Sequence, residues 1–326
     1  MIIGLSPAKN PIKPFMQDTL NFEKYVNVNH NVINYFSGFD TRPGMCQAYF
    51  YQRPLDIYIS GKTPMVTLYP STSTMYPTPD DMCDKICAGE FDSYLADVCA
   101  SLMSFITYSK SMIYFRFTHE MNISTRVYSN PAKFILMWKY VYNFFRGKGL
   151  SKEVAPFIWC PSCLDLGTPA FENYFPGKEV VEYLGVDGYN WGGKGVWQSL
   201  QEVFTDSLTR LNKLASLPVF ICEFGTTAKS GVIYDYSKKL QWISDGFQWL
   251  HDNQDKYLIK MICYFNVNNG ASDIDSAIFE AKNIVFNEIL LNYVYTTSTS
   301  EQYKTLENLK SSYCKGFRLS TDCEEI

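Results

Sequence analysis

Short runs of Ile, Val, Tyr and Phe alternate with amphipathic stretches along most of this chain. Compact apolar runs read as strands buried on both faces, and apolar residues recurring every three to four positions read as helices packed along one side. Strands are predicted at residues 2–5, 32–36, 65–69, 112–117, 156–160, 183–186, 219–223 and 259–265. Helices are predicted at 91–106, 132–145, 199–215, 238–252 and 278–293. Punctuation supports them: Pro131 follows Asn130 at one helix start, and Gly147 and Gly149 stand past its end. Alternation of strand and helix implies parallel pairing through right-handed crossovers. No Gly-x-Gly-x-x-Gly turn follows the first strand, as a doubly wound nucleotide-binding sheet would require. The expected fold is therefore α/β, a (β/α)8 TIM barrel over residues 1–295. Residues 296–326 are expected to form a linker (Thr296 to Ser300, TTSTS) and a short C-terminal helical extension.

Composition narrows the partners. The 326 residues suit one large domain, and 46% hydrophobic with 19% charged residues is a globular balance. A net charge of −4 without a dense Lys/Arg stripe argues against nucleic acid and favours a neutral substrate. Most of the 24 Tyr, 23 Phe and 6 Trp are core material. The remainder are suited to line a cleft, because flat rings with polar tips match the C–H face of a sugar. No apolar run is long enough to span a membrane, and the opening MIIGLSPAKN lacks the pattern of a signal peptide.

Ten cysteines are present. Cys222 and Cys263 lie inside apolar strand runs and read as small buried hydrophobes. Cys83/Cys87, Cys160/Cys163 and Cys314/Cys323 are near enough to pair in an oxidising compartment, but their spacing is not a disulfide framework. Trp159-Cys160-Pro161-Ser162-Cys163 has the spacing of a redox C-x-x-C, yet it closes a strand instead of opening a helix. A redox role is disfavoured.

The chemistry concentrates in two glutamates. In a (β/α) barrel the site forms at the C-terminal strand ends. The fourth strand runs out through Arg116-Phe117-Thr118-His119-Glu120-Met121-Asn122, and the seventh through Phe220-Ile221-Cys222-Glu223-Phe224-Gly225. A carboxylate directly after a buried apolar run is costly unless paired or used. One such glutamate would read as a helix cap or an ion-pair partner; two, on strands four and seven, favour a site. Glycoside cleavage with retention needs two carboxyl groups roughly 5–5.5 Å apart, one delivering a proton and one attacking as an anion. Arg116 and His119 beside Glu120 would help hold the two protonation states apart.

The ordered strings R-x-x-H-E-M-N, G-V-D-G-Y-N-W and E-F-G resemble glycoside hydrolase family 26, the β-mannanase and lichenase-like barrels of clan A. Ala88-Gly89-Glu90-Phe91-Asp92-Ser93-Tyr94, Trp138 and Phe175-Pro176-Gly177-Lys178-Glu179-Val180-Val181 extend the resemblance over roughly residues 60–290. It implies Glu120 as acid/base and Glu223 as nucleophile, with Arg116, His119, Asp187 and Tyr189 supporting them, the tyrosine hydroxyl contacting the nucleophile. It implies Trp191 as a sugar platform; Asn122, Tyr264 and Phe265 are further substrate-binding candidates. The implied activity is endo-hydrolysis of a β-1,4-mannan-type polysaccharide, with mixed-link β-1,3/1,4-glucan or a non-catalytic glycan-binding barrel as alternatives. No metal or cofactor is implied, and the family's usual location is secreted or extracellular.

Departures concern substrate identity. The family's glycine after H-E-M-N and its W-Y-P-W wall are absent, leaving Tyr128 as the nearest aromatic substitute. Pro161-Ser162-Cys163 replaces a Pro-Asn ending on strand five, and Tyr264 and Phe265 stand where members often carry tryptophan. Asn122-Ile123-Ser124 also forms a glycosylation sequon, read as coincidence because a glycan there would obstruct the cleft.

Overall fold

The computed structural model describes residues 1–7, 14–26, 28–70, 78–123, 128–166, 169–192, 196–227, 229–230 and 233–266. The helix expected at 278–293, the linker and extension of 296–326, and Cys314 and Cys323 lie outside these residues. The chain begins with β1 (Ile2–Pro7), α1 (Gln17–Val26) and β2 (Val32–Gly38). A short α2 (Met45–Gln47) then runs through a π turn (Ala48–Gln52) into α3 (Arg53–Ile59). Next come β3 (Thr63–Tyr69), α4 (Pro79–Cys87), α5 (Asp92–Ser109), β4 (Tyr114–Phe117), α6 (Pro131–Gly147) and β5 (Phe157–Trp159). β6 (Tyr183–Asn190), α7 (Leu200–Leu214) and β7 (Val219–Thr226) follow, then a hairpin of β8 (Lys229–Ser230) and β9 (Ile233–Tyr234). α8 (Tyr236–Asn253) and β10 (Ile259–Asn266) end the described chain.

Eight strands close into a barrel in the order β1-β10-β7-β6-β5-β4-β3-β2. The pairing is parallel where the registers run Ile2↔Met261 to Pro7↔Asn266, Val32↔Thr63 to Gly38↔Tyr69, and Met65↔Tyr114 to Leu68↔Phe117. Burial explains the apolar runs: all eight residues of β7 and all four of β4 are buried. This is the expected (β/α)8 architecture, with all eight predicted strands in place. Helices α1 to α4 were not anticipated. Between β5 and β6 the described chain has no α-helix and uses 3-10 turns at Phe171–Tyr174 and Lys178–Val180. Arg210 of α7 fastens that crossover by ion pairs to Asp165 at 2.7 Å and Glu172 at 2.6 Å.

The chain divides into two compact units, one of Val32–Asp187 with Ser207–Cys222, the other of Met1–Asn31, Gly188–Asp206 and the residues from Glu223 onward. The first has an aromatic core in which Phe115 lies 4.8 Å from both Phe145 and Phe157, and Phe117 lies 5.7 Å from Trp138. The Trp138 indole N–H donates to the Val180 carbonyl at 3.0 Å, satisfying the one polar atom of a fully buried ring. In the second, Phe224 packs against Tyr264 and Phe247 with ring centroids 5.2 and 5.9 Å away. Each fully buried side chain of this size contributes about 1.5–3 kcal/mol.

Gly185 permits one close approach. A Cβ there would sit 2.7 Å from the Cys160 Cβ and 3.0 Å from the Cys222 Sγ, so only glycine lets β6 pass these two cysteines. The eight described cysteines are all free, so neither Cys83/Cys87 nor Cys160/Cys163 is paired. No described helix is long and apolar enough to cross a membrane.

Candidate active site

Beyond Phe117 the backbone turns through two left-handed residues, Thr118 at φ 47° and Glu120 at φ 54°. Such conformations cost non-glycine residues about 1–3 kcal/mol each and persist only where surrounding structure enforces them. Here the enforcement is visible. The Thr118 N–H donates to the Leu68 carbonyl and the Glu120 N–H to the Cys160 carbonyl, both at 2.8 Å. These bonds continue the strand ladder on either side while the chain bends, which presents His119 and Glu120 at the end of β4. His119 is buried between Phe36 and Tyr69, with centroids 5.6 and 5.8 Å away. Glu120 is half-buried.

Arg116 and Asp187 are both completely buried, and the Arg116 Nη1 reaches both carboxylate oxygens at 2.8 Å. The pair is supported on every side. Arg116 Nε donates to Thr67 Oγ1 at 2.7 Å, and Thr67 Oγ1 donates in turn to Asn34 Oδ1 at 2.8 Å. The Cys160 thiol donates to Asp187 Oδ1 at 3.2 Å. Burial of ions is tolerable only when the remaining hydrogen-bonding capacity is met in this way.

Glu223, within β7, is 4% exposed, and its Oε2 accepts a hydrogen bond of 2.5 Å from the Tyr189 hydroxyl. Trp191 and Phe265 meet the Tyr189 ring at 5.6 Å each, tilted 64° and 82°, so two aromatic rings flank the tyrosine that holds Glu223. Trp191 and Phe265 are half-buried and keep area for a ligand. Asn190 Nδ2 donates to Thr226 Oγ1 at 2.9 Å, fixing the loop stem that follows Tyr189.

Three expectations fail. Asn122 is fully buried; its Nδ2 donates to the Ser162 and Leu164 carbonyls and to Asp165 Oδ1, and its Oδ1 accepts from the Ser162 N–H at 2.8 Å. It clamps two loops instead of binding substrate, and the same bonds leave its amide unsuited to carry a glycan. Tyr264 is 1% exposed and edge-packed on Phe224, a core residue and not a sugar platform. Tyr128 is equally buried, 5.0 Å from Phe134, and builds no cleft wall. Asn34, Thr67 and Cys160 were missed as supports. The signal for the first two was a single polar residue inside an apolar strand, Val32-Ile33-Asn34-Tyr35-Phe36 and Met65-Val66-Thr67-Leu68.

Cys160, Asp187 and Cys222 offer ligand atoms within 4.8 Å of one another. They suit a metal poorly, because the Arg116 cation already occupies both oxygens of Asp187. Burial, and then the neighbouring Cys222, push the Cys160 thiol well above its ordinary pKa, which disfavours the thiolate that metal ligation or redox attack needs.

By fold the chain is a (β/α)8 barrel of the kind seen in solved glycosidase structures. It superposes on a family 26 β-mannanase of Bacteroides ovatus with TM-score 0.56 at 13% identity, covering 81% of this chain and 80% of the other. A β-mannanase from a symbiotic protist of the termite Reticulitermes speratus, complexed with gluco-manno-oligosaccharide, gives TM-score 0.56 at 11% identity, covering 82% and 80%. These identities speak to the fold. In sequence the chain is 25% identical over 283 residues to Endoglucanase H of Acetivibrio thermocellus, covering 78% of this chain but 27% of that protein. The chain thus spans about a quarter of that relative's length. No family model matches the sequence.

Proposed function

We propose that this chain is a retaining endo-β-glycosidase acting on a β-1,4-mannan-type polysaccharide, with Glu120 as acid/base and Glu223 as nucleophile. The observation that carries this reading is the buried Glu223 carboxylate held by the Tyr189 hydroxyl within β7. Glu120 lies on the strained turn after β4, and its pairing with Glu223 belongs to the proposal. In a parallel barrel, C-terminal strand ends share the face where sites form.

In the first step Glu120 gives its proton to the glycosidic oxygen while a Glu223 oxygen attacks the anomeric carbon, so the C–O bond breaks and a glycosyl ester forms. Water then attacks that carbon, Glu120 takes its proton, and Glu223 leaves as carboxylate. Tyr189 keeps one Glu223 oxygen fixed so that the other is aimed. The Arg116–Asp187 pair anchors the ends of β4 and β6, from which Glu120 and Tyr189 project. Trp191 and Phe265 offer apolar faces to the sugar rings. Mannan is supported by the two β-mannanases whose barrels this chain resembles. Mixed-link glucan is the second reading, and the endoglucanase relative from Acetivibrio supports a β-glucan in general. Reducing-end release from galactomannan and from mixed-link β-glucan, by native protein and by Glu223→Ala, tests both. Equal activity in native and variant would reject the assignment, and the preferred polymer decides between the substrates.

A further inference from the structure

On the outer wall, α8 and the start of α7 enclose a cleft of about 310 Å3, a volume at the lower end of small-molecule sites. Its lining from α8 is Lys238, Gln241, Trp242, Asp245, Gly246 and Trp249, and from the α7 side chiefly Trp197, Leu200 and Gln201. The α8 positions recur at helical spacing over three turns, roughly 16 Å of continuous surface.

The cleft is built rigidly. Trp242 is pinned in its floor by its indole N–H, which donates to the Gln198 carbonyl at 2.9 Å. Leu200 fills the space a side chain would take at Gly246, since a Cβ there would lie 2.9 Å from Leu200 Cδ1. Ser199 and Glu202 exchange hydrogen bonds that fix the first turn of α7, with Ser199 N–H to Glu202 Oε2 at 2.7 Å and Glu202 N–H to Ser199 Oγ at 3.2 Å. Trp197 and Trp249 remain half-exposed at the edges, and the Lys238 ammonium lies 5.8 Å from the Trp197 ring centre. Gln241 and Asp245 are exposed, and Gln241 Nε2 donates to Asp245 Oδ1 at 2.7 Å, which leaves the Gln241 carbonyl and the second Asp245 oxygen to face solvent.

We infer that this cleft is a second glycan-binding site, separate from the barrel rim, that takes a short run of a neutral polysaccharide. The chemistry selects that ligand. Indole faces cover the C–H face of a pyranose, amide and carboxylate oxygens meet its hydroxyls, and one lysine offsets one aspartate, so no net charge calls for an ionic partner. The loop between β6 and α7 serves both places. Trp191 near its start stands at Tyr189 and Trp197 near its end walls the cleft, while the Gln198 N–H donates to Asn190 Oδ1 at 3.0 Å. A polymer held in the cleft therefore touches the same loop whose Trp191 packs on Tyr189, the hydrogen-bond partner of Glu223. The inference rests on the glycosidase reading only for the choice of polymer.

Affinity electrophoresis of the full chain through gels containing galactomannan or mixed-link β-glucan tests it, alongside turnover of a small aryl glycoside. Trp197→Ala and Trp249→Ala are expected to weaken retention about tenfold each while aryl glycoside turnover stays unchanged. Asp245→Arg, at an exposed position that folding tolerates, is expected to block the cleft with the same result. Retention equal in all variants overturns the inference, as does a native protein that neither gel retards. Retention that depends on Trp197 and Trp249 in a protein with no hydrolytic activity upholds this site and removes the glycosidase reading instead.

Discussion

At the residue scale, Glu120 and Glu223, the proposed acid/base and nucleophile, have different surroundings. Glu223 is buried and bound by a phenol; Glu120 is more open and sits on strained backbone. Glu120→Gln should therefore slow polymer hydrolysis far more than hydrolysis of an activated aryl glycoside, whose leaving group needs no proton. Steady-state rates on both substrates check this, and equal losses would remove the acid role. Tyr189→Phe deletes one hydrogen bond to a charged oxygen, an interaction of about 1.5–3 kcal/mol, so a loss of about ten- to a hundredfold is expected, smaller than that of Glu223→Ala. Arg116→Ala would leave Asp187 buried without the guanidinium that balances its charge. A loss of about 3–5 kcal/mol of stability, read by denaturant unfolding, is expected from breaking such a pair.

At the element scale, packing sets what each strand and crossover can carry. Gly185 lets β6 pass Cys160 and Cys222, and an alanine there overfills the space. Gly185→Ala should destabilise the fold by about 1–3 kcal/mol in a denaturant titration. The crossover before β6 depends on Arg210, whose hydrogen bond to Glu172 is the largest cause of that carboxyl's lowered pKa. A carboxyl held lower in the folded state stabilises it above its unfolded pKa and stops doing so as pH falls through the folded value. Arg210→Met should therefore remove part of the stability seen near neutral pH and leave a shallower decline on acidification. Thermal melting followed from neutral to acid pH shows whether it does. Exposure of the pair keeps the effect small.

At the scale of the molecule, the barrel was readable because its strands are continuously apolar and its longer helices periodic. All eight strands fall where those runs stand; β1, β2, β6, β7 and β10 run on past their C-terminal ends, where polar residues such as Asn190 and Thr226 are still strand, while β4 and β5 are shorter than their runs. The π turn and α3 escaped because Tyr49 to Ile59 is apolar on several sides and shows no single face. Strand-end position singled out Glu120 and Glu223, with Arg116 and His119 beside the first, whereas Asp187 and Tyr189 became candidates only through the resemblance to family 26. Side-chain direction was not legible: Tyr264 and Phe265 are neighbours in sequence, yet one packs inside and the other reaches Tyr189, a difference that only the pleat decides. Nor could sequence show that Asn122 is spent on loop carbonyls.

The account as a whole turns on a covalent bond between sugar and Glu223. A 2-deoxy-2-fluoro-β-mannosyl fluoride slows breakdown of such an intermediate, so peptide mass spectrometry after incubation can locate the labelled residue. The account expects one glycosyl adduct, on the peptide containing Glu223, with loss of activity in proportion. An adduct on another carboxylate, or active enzyme that releases the α-anomer first and never becomes labelled, would contradict it.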